Sequence, residues 1–88
     1  MGAAIEGELA LVKIINDGEN RIESLRIADT FRARTLDRTL DSFLFEVTWN
    51  SSKVAAFIDL MQSLGDVEIA RTGVSAISRG NRIDLTAK

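Results

Sequence analysis

The sequence predicts an α+β fold in the order β-α-β-β-α-β, with a four-stranded antiparallel sheet and two helices on one of its faces. Three observations predict it. Short apolar stretches rich in branched or aromatic side chains occur at residues 9–15, 42–49 and from 67 onward, and stretches of that kind read as strands. Two intervening segments, 20–31 and 53–64, repeat apolar residues every three or four positions instead, which is helical spacing. Turn formers separate strand from helix, notably Asn16-Asp17-Gly18 and Gly65.

The first strand spans residues 9–15 and is interrupted only by Lys13. After Asn16-Asp17-Gly18, Glu19 or Asn20 opens a helix whose Ile22, Leu25, Ala28 and Phe31 are expected to face the sheet, with Ile27 alongside and Glu23, Arg26 and Asp29 toward water. Residues 34–39 and 42–49 form two strands of a hairpin around Leu40-Asp41, a tip without glycine. Phe43, Phe45, Val47 and Trp49 fall on one face of the second of these, and Leu44, Glu46 and Thr48 on the other. Asn50, Ser51 and Ser52 offer capping oxygens to a second helix carrying the stripe Val54, Phe57, Ile58, Met61 and Leu64. Gly65 suits its stop. A last strand runs from Val67 through about Ile77, bent near Gly73. The pattern fits a single ferredoxin-like domain with its core over about residues 7–80 and a polar tail at 81–88.

Composition narrows the function. The chain has 88 residues, 45% hydrophobic and 27% charged, ordinary for a folded domain. Its net charge of −2 argues against a protein that works by gripping nucleic acid. Asp41 and Ser42 stand where an RNA-binding sheet of this shape would carry a basic residue and a glycine before its aromatics. The sequence holds neither cysteine nor histidine, which excludes thiol chemistry, histidine acid–base catalysis and the usual zinc sites. No apolar run reaches the ~20 residues of a membrane span, so no membrane association and a cytoplasmic location are expected.

Three ordered blocks carry a more specific signal: Glu8-Leu9-Ala10-Leu11-Val12-Lys13, then Leu25-Arg26-Ile27-Ala28-Asp29-Thr30-Phe31-Arg32-Ala33, then Glu68-Ile69-Ala70-Arg71-Thr72-Gly73 followed by Ser78-Arg79-Gly80. Over roughly residues 7–80 they resemble the C-terminal domain of the small regulatory subunit of acetohydroxyacid synthase, also called acetolactate synthase, an enzyme of branched-chain amino-acid biosynthesis. The resemblance agrees with the ferredoxin-like reading, the architecture that regulatory ACT domains share. It implies a non-catalytic, ACT-like regulatory domain that docks on the catalytic large subunit or relays effector state to it. It also implies a homodimer, no cofactor of its own, and a branched-chain amino acid as effector. The matching region begins at the second domain, so the first, effector-binding domain of the family is expected to be missing. The alternative is an autonomous amino-acid-sensing ACT-like module acting on another target.

Two groups of residues are candidate sites. Asn16, Asp17, Gly18 and Asn20 lie between the first strand and first helix, where effector-binding ACT domains hold an amino acid, and amide donors at a helix start suit a carboxylate. A turn with its cap selects the same residues for geometry alone. Lys13, Arg26, Arg32, Arg71, Thr72, Gly73 and Arg79 are the candidate partner interface. Lys13 also fits a rim position with its stem packed and its ammonium in water. Arg71 is either an exposed arm to a partner carboxylate, in which case Arg71→Ala changes folding by less than about 1 kcal/mol, or an internally paired charge. Finally, the first strand is apolar on both sides, Leu9, Leu11 and Ile15 opposing Ala10, Val12 and Ile14. Two helices cover one face only, so self-association through the other is expected.

Overall fold

A computed structural model describes residues 7–72. Its elements are β1 (Glu8–Ile15), α1 (Glu19–Thr30), β2 (Arg34–Arg38), β3 (Ser42–Trp49), α2 (Ser51–Gln62) and β4 (Asp66–Arg71). The strands lie in the order β2-β3-β1-β4, every neighbouring pair antiparallel. Each helix therefore crosses over one intervening strand, α1 over β3 and α2 over β1, which makes the ferredoxin-like sheet. Any continuation of the last strand toward Ile77, and the 81–88 segment, lie outside the described residues.

The core fills the space between the sheet and the helices. Ala10, Val12 and Ile14 of β1 and Phe43, Phe45 and Val47 of β3 point into it, each at most 1% exposed. Val54, Phe57, Ile58 and Met61 of α2 meet them as the expected stripe. Phe57 anchors an aromatic cluster, its ring tilted against Phe31 at 5.4 Å and edge-on to Phe45 at 6.1 Å. The start of α2 is set by Asn50, whose side-chain oxygen accepts the Lys53 N–H at 2.9 Å.

Helix α1 departs from the sequence reading. Ser24 and Ala28 are its buried residues, Arg21, Ile27 and Phe31 are half-buried, and Ile22 and Leu25 are 60% and 40% exposed. The reason is angular. At ~100° per residue, positions three apart drift by ~60° at each step, so Ile22 and Phe31 point to opposite sides. The line 21, 24, 28 and 31 stays on one side and is the one that packs. No side chain caps this helix: Gly18 is its N-cap, with φ 63° and ψ −141°. A Cβ there would meet no atom within 4 Å, so the glycine serves backbone conformation and not space.

The far end of α1 closes on Arg32, which has φ 58°. The Ala33 N–H donates to Ala28 O at 2.8 Å and the Arg32 N–H to Asp29 O at 3.1 Å. This is the two-bond Schellman stop, with Ala33 packed on the core and arginine where glycine is commonest.

Gly65, between α2 and β4, is set by space instead. A Cβ added there would collide with the Ile15 carbonyl oxygen and come within 3.0 Å of the Asn16 Cβ. Because the obstacle is backbone, Gly65→Ala is expected to destabilise by about 1–3 kcal/mol in urea unfolding. A neutral substitution would show that the α2–β4 turn yields easily.

Candidate functional site

The candidate residues fall at two ends of the fold. One gathers the β1–α1 loop, the β2–β3 tip and the α2–β4 turn. The other gathers the start of β1, the end of β4 and the stop of α1.

At the first end, the residues expected to bind an effector form a structural junction. The Asn16 side-chain amide donates to Ser24 Oγ at 2.9 Å and approaches the carbonyl oxygens of Asn20 and Leu64 at 3.3 Å. Asn20 donates to the same Leu64 carbonyl at 3.1 Å. The Asn16 backbone N–H is taken by Asp41 O at 2.9 Å. These bonds satisfy the Leu64 carbonyl near the end of α2 and draw Ser24 inward, which fixes the rotation of α1. The Asn16 side-chain oxygen is buried and makes no hydrogen bond. Asp17 is exposed.

At the same end lies an open, shallow cleft of about 480 Å³ lined by Arg21, Arg38, Thr39 and Leu40. The Arg21 guanidinium lies 4.1 Å above the Phe43 ring, a cation–π contact that holds the charge in place. The tip is tied by Thr39, whose hydroxyl lies 2.7 Å from Ser42 Oγ and donates to Asp41 Oδ1 at 3.1 Å. Sequence reasoning did not single out Leu40 as exposed. The available signal was a leucine at a hairpin tip, where glycine, asparagine or aspartate is usual.

The second end is organised by Glu8 and Arg71. Ala10 and Arg71 are register partners, so Arg71 shares the covered face of the sheet with Glu8, Ala10 and Val12. Its Nε donates to Glu8 Oε2 and its Nη2 to Glu8 Oε1, both at 2.7 Å. The Glu8 side chain is 4% exposed and that of Arg71 38%. Arg71 is thus an internally paired charge, not a free arm. The hydrogen bonds it donates to Glu8, opposed by burial and helped by the Glu8 charge, raise the guanidinium pKa above its ordinary value. Thr72 extends the ladder: its N–H donates to Leu9 O and its hydroxyl accepts the Leu9 N–H, each at 3.0 Å.

Of the remaining interface candidates among the described residues, Lys13 lies on the sheet, apart from Arg26 and Arg32 at α1. Lys13 is exposed on the uncovered face, opposite Leu44 and Glu68. It is not at a rim, because β1 is an inner strand flanked by β3 and β4. Arg26 is on α1, in an exposed pair with Glu23 at 3.8 Å, which contributes little. Arg32 sits at the α1 stop. Gly73 and Arg79 lie outside the described residues. The uncovered face as a whole is mixed, with Leu9, Leu11, Leu44 and Ala70 half-buried and Ile15 42% exposed. Lys13, Glu68 and the Arg34–Glu46 pair at 3.2 Å lie among them. Among the described residues no cluster of acidic side chains is arranged to hold a metal ion, and no helix is long and apolar enough to cross a membrane.

Comparison with known proteins agrees with this architecture. Residues 7–80 match a family model described as the small subunit of acetolactate synthase. Over 80 residues the chain is 45% identical to a probable acetolactate synthase small subunit of Archaeoglobus fulgidus, covering 91% of this chain and 50% of that protein. Over 78 residues it is 40% identical to the acetolactate synthase small subunit of Bacillus subtilis, covering 89% and 45%. The crystal structure of the small subunit from Thermotoga maritima superposes with a TM-score of 0.72 at 32% identity, covering 96% of this chain and 46% of that one. The chain spans about half the length of these relatives. Strand order, helix placement and sequence identity over nearly the whole chain converge, and this chain belongs to the acetolactate synthase small-subunit family.

Proposed function

We propose that this chain is a non-catalytic regulatory domain of acetolactate synthase that docks on the catalytic large subunit and relays effector state to it. The match of residues 7–80 to the small-subunit family carries the reading. The composition supports it, since a chain without histidine or cysteine lacks the commonest acid–base and nucleophilic groups. Regulation then rests on differential affinity: the domain alters catalysis only by binding two states of the large subunit unequally. A cytoplasmic site of action and a branched-chain amino-acid effector for the assembly belong to the same proposal. The β1–α1 loop has its amides engaged within the domain, which favours an effector site elsewhere in the assembly.

The working form in this proposal is a homodimer joined through the uncovered face of the sheet. Leu9, Leu11 and Leu44 are only half-buried there, and inner strands that met water on that face would alternate to polar residues. Mixing the chain with the cognate large subunit is expected to change acetolactate formation, while the chain alone forms none. Leu11→Glu is expected to turn the dimer into a folded monomer by light scattering. Acetolactate formation by the isolated chain, or a wild-type monomer at micromolar concentration, would overturn the corresponding part.

A further inference from the structure

We propose that the cleft formed by Arg21, Arg38, Thr39 and Leu40 is a docking site for an acidic, apolar-flanked segment of a partner protein. The inference rests on the docking reading above and locates its contact. Among the described residues, neither Arg21 nor Arg38 has a carboxylate at ion-pair distance; the three pairs are Arg26–Glu23, Arg34–Glu46 and Arg71–Glu8. Both arginines nevertheless line one cleft, and two cations beside a shared space, neither paired with a carboxylate, favour an anion there.

Arg21 is the more constrained of the two. Its Nη1 is shut off from solvent and makes no hydrogen bond, while the ring of Phe43 supports the guanidinium from one side at 4.1 Å. A half-buried cation without a counter-ion is costly, and a partner carboxylate near the part of the Arg21 side chain that solvent still reaches lowers that cost, the enclosed Nη1 itself being out of a partner's reach. The tip's own acid is not paired with either arginine: the Asp41 carboxylate accepts the Thr39 hydroxyl at 3.1 Å and takes part in none of the three ion pairs.

Leu40 decides the class of ligand. It is 95% exposed and stands on a two-residue tip that Thr39 and Ser42 hold together. A small carboxylate lodged between the arginines leaves such a side chain in water, whereas a protein segment buries it. Arginine is among the residue types that most often anchor an interface, and the protruding leucine beside it adds apolar area that a protein segment can cover.

The test measures binding of the full chain to the acetolactate synthase catalytic subunit by titration calorimetry, at low and high salt. Arg38→Glu and Leu40→Ser are each expected to weaken binding by about tenfold or more. Lys53→Glu, an exposed cation at the other end of the domain, is expected to change it by less than about threefold. High salt should weaken the wild type more than Arg38→Glu. Wild-type binding with unchanged affinity in both variants overturns the cleft and leaves the docking reading standing. No binding by the wild type overturns both. A melting shift given by free isobutyrate and lost in Arg38→Glu, with subunit affinity unchanged, overturns the protein occupant in favour of a small carboxylate.

Discussion

Phe57→Ala is expected to remove about 3–5 kcal/mol of folding stability. Phe57 is fully buried, and its ring is the shared neighbour of Phe31, which caps the end of α1, and Phe45 from β3. Truncation removes transfer energy and also leaves a cavity bounded by three elements, which cannot all collapse inward at once. Against a total on the order of 5–15 kcal/mol for a native domain, a loss of that size leaves little. Leu60→Ala on the same helix, at 42% exposure, is expected to cost less than about 1 kcal/mol. Equal losses at the two positions in urea unfolding would mean that α2 is not packed by its 54, 57, 58 and 61 face.

The second large effect is at Arg71. Arg71→Ala is expected to destabilise by about 2–4 kcal/mol, most of it from a buried Glu8 carboxylate left without its two donors. The 38% exposure of the Arg71 side chain admits water and keeps the cost toward the low end of the buried-pair range. Replacing both partners together, as Glu8→Leu with Arg71→Met, is expected to recover much of the loss, because apolar groups of similar size need no partners. A double-mutant cycle measures the coupling; a value near zero would show that the pair is solvated. The raised pKa of Arg71 gives a definite sign. Its contribution is complete below the unfolded-state value and is lost only as pH rises through the still higher folded value, so Arg71 adds no pH dependence near neutrality.

This result separates the two readings of Arg71 that the sequence left open. An exposed contact residue changes association and leaves folding nearly intact. A residue bonded at 2.7 Å to a side chain 63 positions away changes folding first. Any contact made by the outer part of the guanidinium is then secondary to the closure of β4 against β1.

Much of the architecture was legible because its causes are local. Alternation along residues 42–49, the stripe at 54, 57, 58 and 61, the capping oxygen at Asn50 and the turn at residues 16–18 are each properties of a few neighbouring residues. With six elements in one order, handedness and short connections leave few arrangements, and three short blocks were enough to indicate the family. What the tertiary structure alone decided depends on register and strand order. Lys13 stands in an inner strand, Glu8 meets Arg71, and two unpaired arginines share a cleft with a hairpin tip. The rotation of α1 belongs here too. Apolar residues at 22, 25, 28 and 31 suggested one face, but the hydrogen bond from Asn16 to Ser24 and the cation–π contact of Arg21 with Phe43 turned another inward. Periodicity states which faces a helix can offer, and contacts between residues distant in the chain choose the one that packs.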